Sequence, residues 1–407
     1  MRRLAVLSMH TSPLAQPGSG DGGGMNVYVR ELSGALARAG VDCDVYTRAW
    51  CRGLPPVVAV EPGLRVHHVI AGRRALLPMA ELADLVGDFT EGVQETMAAG
   101  SPPDAIHANY WLSGVAGHEL KHRFELPLVS TFHTLDRVKA EAVGDEDGRR
   151  ARAEAEVIGC SDAILASSGD EAEQLVRLYG AVPERVEVVP PGVDHHLFSP
   201  GDRAAARRAL GQSLGLPPGP MLLFVGRIQP LKGVDVAVRA LAALGGDVTL
   251  VVVGGPSGPH GEAELARIGK LVSAHGLAGR VRFLPPQPHG HLADFYRAAD
   301  VCVVPSRSES FGLVALEAAA CGTPVVAAAV GGLRTIVTSG RTGFLVEERD
   351  PAVFAARIGE LLDDPGLADR MGAQAAAWSR QFQWPITAAR LRRLYADLTA
   401  RQRVECG

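Results

Sequence analysis

Two segments in the second half of the chain carry the strongest signal: Gly226-Arg227-Ile228-Gln229-Pro230-Leu231-Lys232-Gly233 and Glu309-Ser310-Phe311-Gly312-Leu313-Val314-Ala315-Leu316-Glu317. The first follows the apolar run 221–225, and the second follows the strand-like run 301–305. A helical segment comes next in both cases, so each motif lies on a predicted turn from a strand into a helix. Alternation of this kind predicts an α/β fold with parallel sheets.

The residue types in these turns suit a nucleotide-diphospho sugar. Arg227 offers a planar fork and Lys232 a point charge, and both are good partners for a diphosphate. Phe311 and Gly312 fall where a helix begins, so free N–H groups and the helix dipole can also face an anion. Glu317 is an acceptor-only carboxylate suited to the two hydroxyls of a ribose, and Glu309 is placed to contact a sugar. The alternative is a solvated loop followed by a polar helix face.

The paired motifs resemble the retaining glycosyltransferases of the glycogen-synthase-like family 4, in which two glutamates are separated by seven residues, as here. That resemblance implies a GT-B fold, two Rossmann-like domains with parallel sheets facing a deep interdomain cleft. It implies sugar transfer from a nucleoside-diphosphate sugar to a small polar acceptor, with retention at the anomeric carbon. The implied catalytic residues are His133, Arg227, Lys232 and Glu309. The implied donor-binding residues are Gly23, Gly24, Ser310, Phe311, Gly312, Leu313 and Glu317.

Length and composition fit a two-domain enzyme. The 407 residues exceed one ordinary core, and 41 basic against 45 acidic residues give a net charge of −4, which offers nucleic acid no basic surface. No run reaches the roughly 18 apolar residues of a membrane span. The cysteines show no paired spacing, so we expect free thiols and a cytoplasmic protein; they are residues 43, 51, 160, 302, 321 and 406.

Apolar runs alternate with amphipathic segments in two series. The predicted strands are 4–9, 42–46, 66–70, 105–107, 128–131, 163–166 and 186–189, then 221–225, 248–253, 281–284, 301–304, 324–327 and 343–346. Helices include 26–39, 110–124, 150–160, 234–244 and 313–321. Proline and glycine between 190 and 201 mark a boundary. We therefore predict an acceptor-binding domain, 1–195, completed by a C-terminal helix, 385–407, and a nucleotide-sugar domain, 200–380.

A glycine-rich loop, residues 17–26, follows the first strand. Gly18, Gly20 and Gly23 match the dinucleotide fingerprint, and Asp42 is suitably spaced for a ribose, so an NAD-dependent oxidoreductase is an alternative. That fingerprint should follow its strand almost immediately, whereas residues 10–17 intervene here. We favour a loop whose backbone lies close to donor phosphate and acceptor.

The resemblance narrows to the branch of the family that glycosylates 1D-myo-inositol 3-phosphate in mycothiol synthesis. The matching segments are 8–14, 16–18, 20–21, 23–28, 110–114, 133–135, 254–259 and 310–314. By this resemblance the acceptor site contains Asn26, Met79, Tyr110, Thr134 and Arg150.

Met79 departs from the branch, which carries a phosphate-binding lysine there. Without that ammonium, the site loses a charge-assisted hydrogen bond to the phosphate, which is worth roughly 1.5–3 kcal/mol of binding free energy, unless Arg73 or Arg74 compensates. The alternative acceptor is an unphosphorylated natural product of an antibiotic pathway, such as an aminocyclitol or an ergothioneine-type thiol that is S-glycosylated.

Histidines raise one further alternative. His118-Glu119-Leu120-Lys121-His122 fits the zinc-protease helix, but no third ligand is evident in the sequence, and we expect an exposed turn of a covering helix. His133 instead ends a strand at its carboxyl edge, where open α/β sheets bind ligands. We expect no cofactor and no essential metal, because two fixed cations already face the diphosphate. A homodimer is expected by resemblance alone.

Overall fold

The computed structural model describes residues 2–18, 20, 22–144, 147–258, 260–400 and 404. Ser19 and Asp21 of the glycine loop, Pro259 and nearly all of the predicted C-terminal segment beyond residue 400 lie outside the described residues. The strands are β1 (Arg3–Leu7), β2 (Asp42–Arg48), β3 (Val57–Glu61), β4 (Leu64–Val69), β5 (Ala105–Asn109), β6 (Leu128–Thr131), β7 (Ala163–Ala166), β8 (Val186–Val188), β9 (Met221–Val225), β10 (Thr249–Val253), β11 (Val281–Leu284), β12 (Val301–Val304), β13 (Val325–Ala328) and β14 (Gly343–Val346).

The helices cover much of the remaining chain. They are α1 (Gly24–Arg38), α2 (Met79–Ala83), α3 (Val86–Ala99), α4 (Trp111–Phe124), α5 (Asp136–Val143), α6 (Gly148–Cys160), α7 (Gly169–Tyr179), α8 (Arg203–Leu214), α9 (Val234–Ala243), α10 (Gly261–Ala274), α11 (Leu292–Ala298), α12 (Leu313–Ala320), α13 (Leu333–Ile336), α14 (Pro351–Asp363), α15 (Pro365–Ser379) and α16 (Trp384–Ala400). No helix in the described ranges is both long and apolar enough to cross a membrane.

The chain divides into two units. Unit 1 comprises Met1–Ala15, Gly24–Gly192 and Trp384–Gly407, and unit 2 comprises Gln16–Gly23 and Val193–Gln383. Helix α16 thus belongs to unit 1, although it follows unit 2 in the sequence.

Unit 1 is built on one sheet with the strand order β3-β4-β2-β1-β5-β6-β7-β8. Side chains of β1 alternate between its two faces: Ala5 and Leu7 pack with α3 and α4, whereas Leu4 and Val6 pack with α1 and α16. Both faces are therefore covered by helices, which explains why these strands are continuous apolar runs. The hydroxyl of Tyr395 in α16 also forms a hydrogen bond with Nδ1 of the buried His107, at 2.8 Å.

One strand departs from the expected all-parallel pattern. β3 pairs antiparallel with β4, with an irregularity between Ala59 and Glu61, and the sequence analysis missed it. Its side chains are only partly buried or exposed, because it forms the edge of the sheet. An edge strand with little burial lacks the apolar run that identified the others.

Unit 2 contains a second sheet, with the order β11-β10-β9-β12-β13-β14 and parallel pairing throughout its described strands. Leu222 and Phe224 of β9 face one buried cluster with α9, α10 and α14. Met221 and Leu223 face the other, with α11 and α12. β9 and β12 are neighbours, so the turns that follow them lie at one edge of the sheet.

The cysteines correct one expectation. Cys43, Cys51, Cys302 and Cys321 carry free thiols, as predicted. Cys160 is disulfide-bonded, so the expectation of free thiols is wrong at that residue. Cys406 lies outside the described residues.

Candidate active site

In unit 2, the turn after β9 presents the first predicted cation. Nη1 of Arg227 lies 3.4 Å from the hydroxyl of Ser257, at the limit of a hydrogen bond. A Cβ added at Gly23, which also belongs to unit 2, would lie 3.3 Å from Nε of Arg227. A larger residue at position 23 would therefore crowd the guanidinium.

Lys232 and Glu309 are brought into direct contact. Lys232 ends a 3₁₀ turn, Pro230–Lys232, and its Nζ lies 2.6 Å from Oε2 of Glu309. The Ser306 hydroxyl approaches the same oxygen at 3.3 Å. Both charged side chains remain partly exposed, at 25% and 18%, so a ligand can reach them.

Two glycines support the loop that carries Glu309, and the sequence analysis did not identify them. Gly331 has a φ of 46°, and a Cβ there would lie 2.0 Å from the carbonyl oxygen of Glu309. At Gly332 a Cβ would lie 2.3 Å from Cα of Phe311, while its N–H donates to the Glu309 carbonyl. Only glycine fits at these two positions.

Glu317 is buried and bonded through both oxygens. Its side chain accepts the Tyr296 hydroxyl at Oε2, at 2.8 Å, and Nε2 of His289 lies 2.7 Å from Oε1. The carboxylate is 5% exposed. Tyr296 and His289 therefore fix the orientation of the predicted ribose-binding group, and neither was identified from the sequence.

Glu317 lies on helix α12. Gly312 caps it with a φ of 97°, a conformation that glycine adopts without strain. The predicted donor residues Ser310, Phe311 and Leu313 thus lie at the N-terminal end of an eight-residue helix. Lys232, Glu309, Ser310 and Glu317 are all parts of unit 2.

In unit 1, two predicted site residues have unusual backbones. Tyr110, after β5, has a φ of 76°, and His133, after β6, has a φ of 62°. The third described non-glycine residue with positive φ, Glu125, is an ordinary left-handed helix cap. Such conformations are costly and concentrate at functional sites, whereas the roles of Tyr110 and His133 stay predictions.

The imidazole of His133 is buried and uncharged. Its Nε2 lies 2.9 Å from Oδ1 of Asn109, and its ring stands edge-on to Tyr28. Removal from water lowers the pKa of His133 to about 3, with His107 and His10 adding to the effect. The imidazole is therefore uncharged at neutral pH, and it suits hydrogen bonding to a sugar rather than pairing with a phosphate.

Arg150 joins two other predicted acceptor residues. Its Nη2 donates to the carbonyl and hydroxyl of Thr134, at 2.8 and 3.1 Å, and its guanidinium lies 4.9 Å from the centre of the Tyr110 ring. Nε donates to Glu154 at 2.7 Å. Nη1 makes no hydrogen bond to the described residues, and the residue is 8% exposed.

Asn26 and Met79 have mainly structural surroundings. The buried Asn26 amide donates to Oγ1 of Thr11 and the carbonyl of Ser12, which fastens the loop after β1. Met79 opens α2 and packs partly against the unit 1 core. Asp84, directly after α2, pairs with Arg149 at 3.0 Å, so the Met79 segment approaches the start of α6, which bears Arg150.

Arg73 and Arg74, the candidates to replace the missing lysine, are exposed. Arg73 pairs with Glu81 at 2.9 Å, and Arg74 is exposed in the same loop. The buried Arg48, which the sequence analysis did not identify, donates to the carbonyls of Ala71, Arg73 and Ala75 and thereby orders this loop.

Comparison with known proteins assigns the class. A model of glycosyl transferases group 1 matches residues 207–378, and a model of Glycosyltransferase Family 4 matches residues 22–197. The structure resembles sucrose-phosphate synthase from Thermosynechococcus elongatus, with a TM-score of 0.92 and 35% identity over 98% of this chain and 100% of that one. It also shares its fold with Anabaena HepE, solved with UDP and glucose, with a TM-score of 0.78 and 21% identity over 98% of this chain and 100% of that one. Two Rossmann-like domains of this kind define a GT-B glycosyltransferase.

Relatives of known name narrow the comparison. The D-inositol 3-phosphate glycosyltransferase of Xylanimonas cellulosilytica is 51% identical, with 98% of each chain covered. That of Acidothermus cellulolyticus is 47% identical, covering 99% of this chain and 92% of the relative. The chain therefore belongs to the same glycosyltransferase family as these relatives.

The matches do not favour the oxidoreductase alternative. Residues 8–23 separate β1 from α1, so the glycine loop lacks the short strand-to-helix turn of a dinucleotide fingerprint.

Proposed function

We propose that this enzyme transfers a sugar, GlcNAc or a related one, from a uridine-diphosphate sugar to 1D-myo-inositol 3-phosphate, with retention, as an MshA-like enzyme. The full-length identity of 51% to a relative named for that acceptor carries the proposal. Two groups of contacts support it. One is the ion pair of Lys232 and Glu309, and the other is the contact of Arg150 with Thr134 and Tyr110.

The donor is held by charge and by the α12 terminus. Arg227 and Lys232 neutralise the diphosphate, whose negative charge increases as the sugar leaves. The N–H groups at the start of α12 add to this stabilisation. The ribose hydroxyls bind Glu317, which must then share oxygens now occupied by His289 and Tyr296.

Transfer proceeds on one face of the sugar. The bond from the anomeric carbon to the diphosphate oxygen breaks, and an acceptor hydroxyl oxygen bonds to that carbon from the same side. The hydroxyl proton passes to the departing diphosphate oxygen. His133 contacts the sugar as a neutral hydrogen-bonding group, and Glu309 keeps Lys232 in place.

The acceptor phosphate binds at Arg150. Its Nη1 edge, the Thr134 hydroxyl and Tyr110 are the groups that would contact it. No cofactor and no metal is required, because the diphosphate is neutralised by side chains. A cytoplasmic location is proposed from the sequence, and a homodimer from the family resemblance alone.

One incubation tests the reaction. The enzyme is mixed with UDP-GlcNAc and inositol 3-phosphate, and products are analysed by mass spectrometry, with the anomeric configuration assigned by NMR. We expect the retained glycosyl-inositol phosphate, with turnover unaffected by EDTA. An inverted product contradicts the reaction class, and dependence on added magnesium or manganese contradicts the proposed role of the two cations.

A second acceptor class rests on Met79, an apolar side chain where the relatives' branch is expected to carry a cation. Slow donor hydrolysis without transfer to inositol 3-phosphate would favour an unphosphorylated acceptor, an aminocyclitol or a thiol. The same assay run with those acceptors separates the two.

A further inference from the structure

A cluster of soft metal ligands lies in unit 1, at the ends of α4 and α6. His118 and His122 are one helical turn apart on α4, and Cys160 ends α6. The ligand atoms of the three residues lie within 4.8 Å of one another. The sequence analysis saw the histidine pair but no third ligand, and the fold supplies it from 38 residues along the chain.

Distances within the cluster suit a tetrahedral ion. Nε2 of His122 lies 3.4 Å from Sγ of Cys160. In a tetrahedral zinc site, bond lengths near 2.05 and 2.3 Å place nitrogen and sulfur about 3.5 Å apart. The pair of His122 and Cys160 therefore has the separation that one shared ion requires, and all three ligand atoms lie within 4.8 Å of one another.

The surroundings favour metal binding over proteolysis. Buried Lys121 pairs with Asp162 at 2.9 Å and donates to the carbonyl of Cys160 at 2.7 Å, so the end of α6 is fixed against α4. Glu119, the candidate base of a zinc protease, instead pairs with Arg123 at 2.9 Å.

The two histidines differ in exposure. His118 is partly buried on α4. His122 is exposed, which gives an ion access to the cluster.

We propose that His118, His122 and Cys160 form a binding site for a soft divalent ion of the zinc class. The ion can bind only when the disulfide of Cys160 has been reduced. A dithiol reductant supplies two electrons and two protons to the disulfide, yielding two thiols and an oxidised reductant. The metal then displaces the Cys160 thiol proton and bonds to sulfur and to both imidazoles. A site with three protein ligands leaves one position for water or a further thiolate.

Such a site would couple thiol redox state to stability. The metal would join the ends of α4 and α6 in the reduced protein, as the disulfide constrains Cys160 in the oxidised one. The backbone N–H of Val404 donates to Asp162 at 2.7 Å, and Asp162 in turn pairs with Lys121 beside this cluster. Loss of both linkages is expected to lower the melting temperature.

Cobalt titration of the full-length chain tests the site. Reduced, metal-free protein is titrated anaerobically with Co²⁺, and then with Zn²⁺ in competition. We expect one ion per chain, a thiolate-to-cobalt charge-transfer band and intense visible bands of tetrahedral Co²⁺, all lost on zinc addition. The oxidised protein should give neither band. Absence of these bands in the reduced wild type would overturn the proposal.

Matched variants locate the ligands. Cys160→Ser and His122→Ala should each weaken binding by at least about tenfold, since even outer partners of a metal ligand are worth that much. Cys51→Ser and His275→Ala, another thiol and another imidazole, should leave it unchanged. Equal binding by Cys160→Ser and wild type would refute thiolate ligation. His122 is exposed, so His122→Ala should fold even if Cys160→Ser does not. Stabilisation by UDP in a thermal scan checks folding of each variant independently of metal.

Discussion

Nζ of Lys232 lies 2.6 Å from Oε2 of Glu309, which joins the loops that follow two neighbouring strands, β9 and β12. The pair is partly exposed, so solvent screens it and its contribution to stability is small. The ion pair matters because it fixes the position of the lysine ammonium. A lysine held at one point can face a diphosphate without first being ordered, and this preorganisation is what electrostatic catalysis requires.

Lys232→Ala should therefore reduce kcat by about 100-fold to 1,000-fold, the range seen when one preorganised donor is removed, with a smaller rise in KM for the donor. Steady-state kinetics with a UDP-sugar measure both constants. Lys270→Ala, at an exposed lysine of α10, is the control and should behave as wild type. Turnover of Lys232→Ala within twofold of wild type would exclude a catalytic role.

A double-mutant cycle should show that the pair acts as one unit. Glu309→Gln leaves the lysine without its anchor, so the effects of Lys232→Ala and Glu309→Gln on kcat should fall short of additivity by about 1 kcal/mol or more. Additive effects would mean that the two side chains contribute separately, despite their contact.

Tyr296→Phe should raise the donor KM by about tenfold, because a hydrogen bond to a buried charged group is worth roughly 1.5–3 kcal/mol. It should also reduce the preference for a ribose donor over a 2′-deoxyribose donor, since Glu317 would be less firmly oriented. That second readout distinguishes positioning from general damage. Tyr395→Phe removes another buried, hydrogen-bonded hydroxyl and should leave the sugar preference unchanged.

Most strands could be predicted because a strand buried on both faces has to be apolar along its whole length. Leu222, Leu223 and Phe224 illustrate this, since consecutive residues of β9 enter opposite cores. β3 escaped prediction because its residues lie at an edge with little burial. The predicted cleft between the halves stays a prediction.

The site was predictable where its residues share one local motif. Arg227 and Lys232 lie in one short segment, and Glu309 and Glu317 in another, and the spacing within each segment indicates its chemistry. Tyr296 and His289 meet Glu317 across 21 and 28 residues, through the packing of α11 and a 3₁₀ turn against α12. A contact between residues far apart in the sequence cannot be inferred from a local motif. The contact of Cys160 with His122 escaped prediction for the same reason.

His107 should make stability dependent on pH. It is fully buried between Thr131 and Tyr395, and burial lowers its pKa to about 3, against about 6.5 when unfolded. The unfolded chain therefore binds more protons between these values, and stability is lost as pH falls through this window. From pH 7 to pH 5 the loss from His107 should be about 2 kcal/mol. Urea unfolding of wild type and His107→Gln at both pH values measures it; equal pH dependence would contradict it.

Met79→Lys tests the acceptor site directly. If Met79 lies where an acceptor phosphate binds, the added ammonium should lower KM for inositol 3-phosphate by about tenfold, which corresponds to roughly 1.4 kcal/mol, with kcat little changed. Leu76→Lys provides the control, because Leu76 lies in the same segment and is 79% exposed, so it adds the same charge without the same position. Equal effects of both variants would indicate general attraction of the anion, and a rise in salt concentration should then abolish both effects.

No change in KM with Met79→Lys, in an enzyme that does use inositol 3-phosphate, would place Met79 outside the acceptor site. The phosphate would then depend on Arg150, whose substitution by methionine should raise the same KM while leaving that of the donor unaffected.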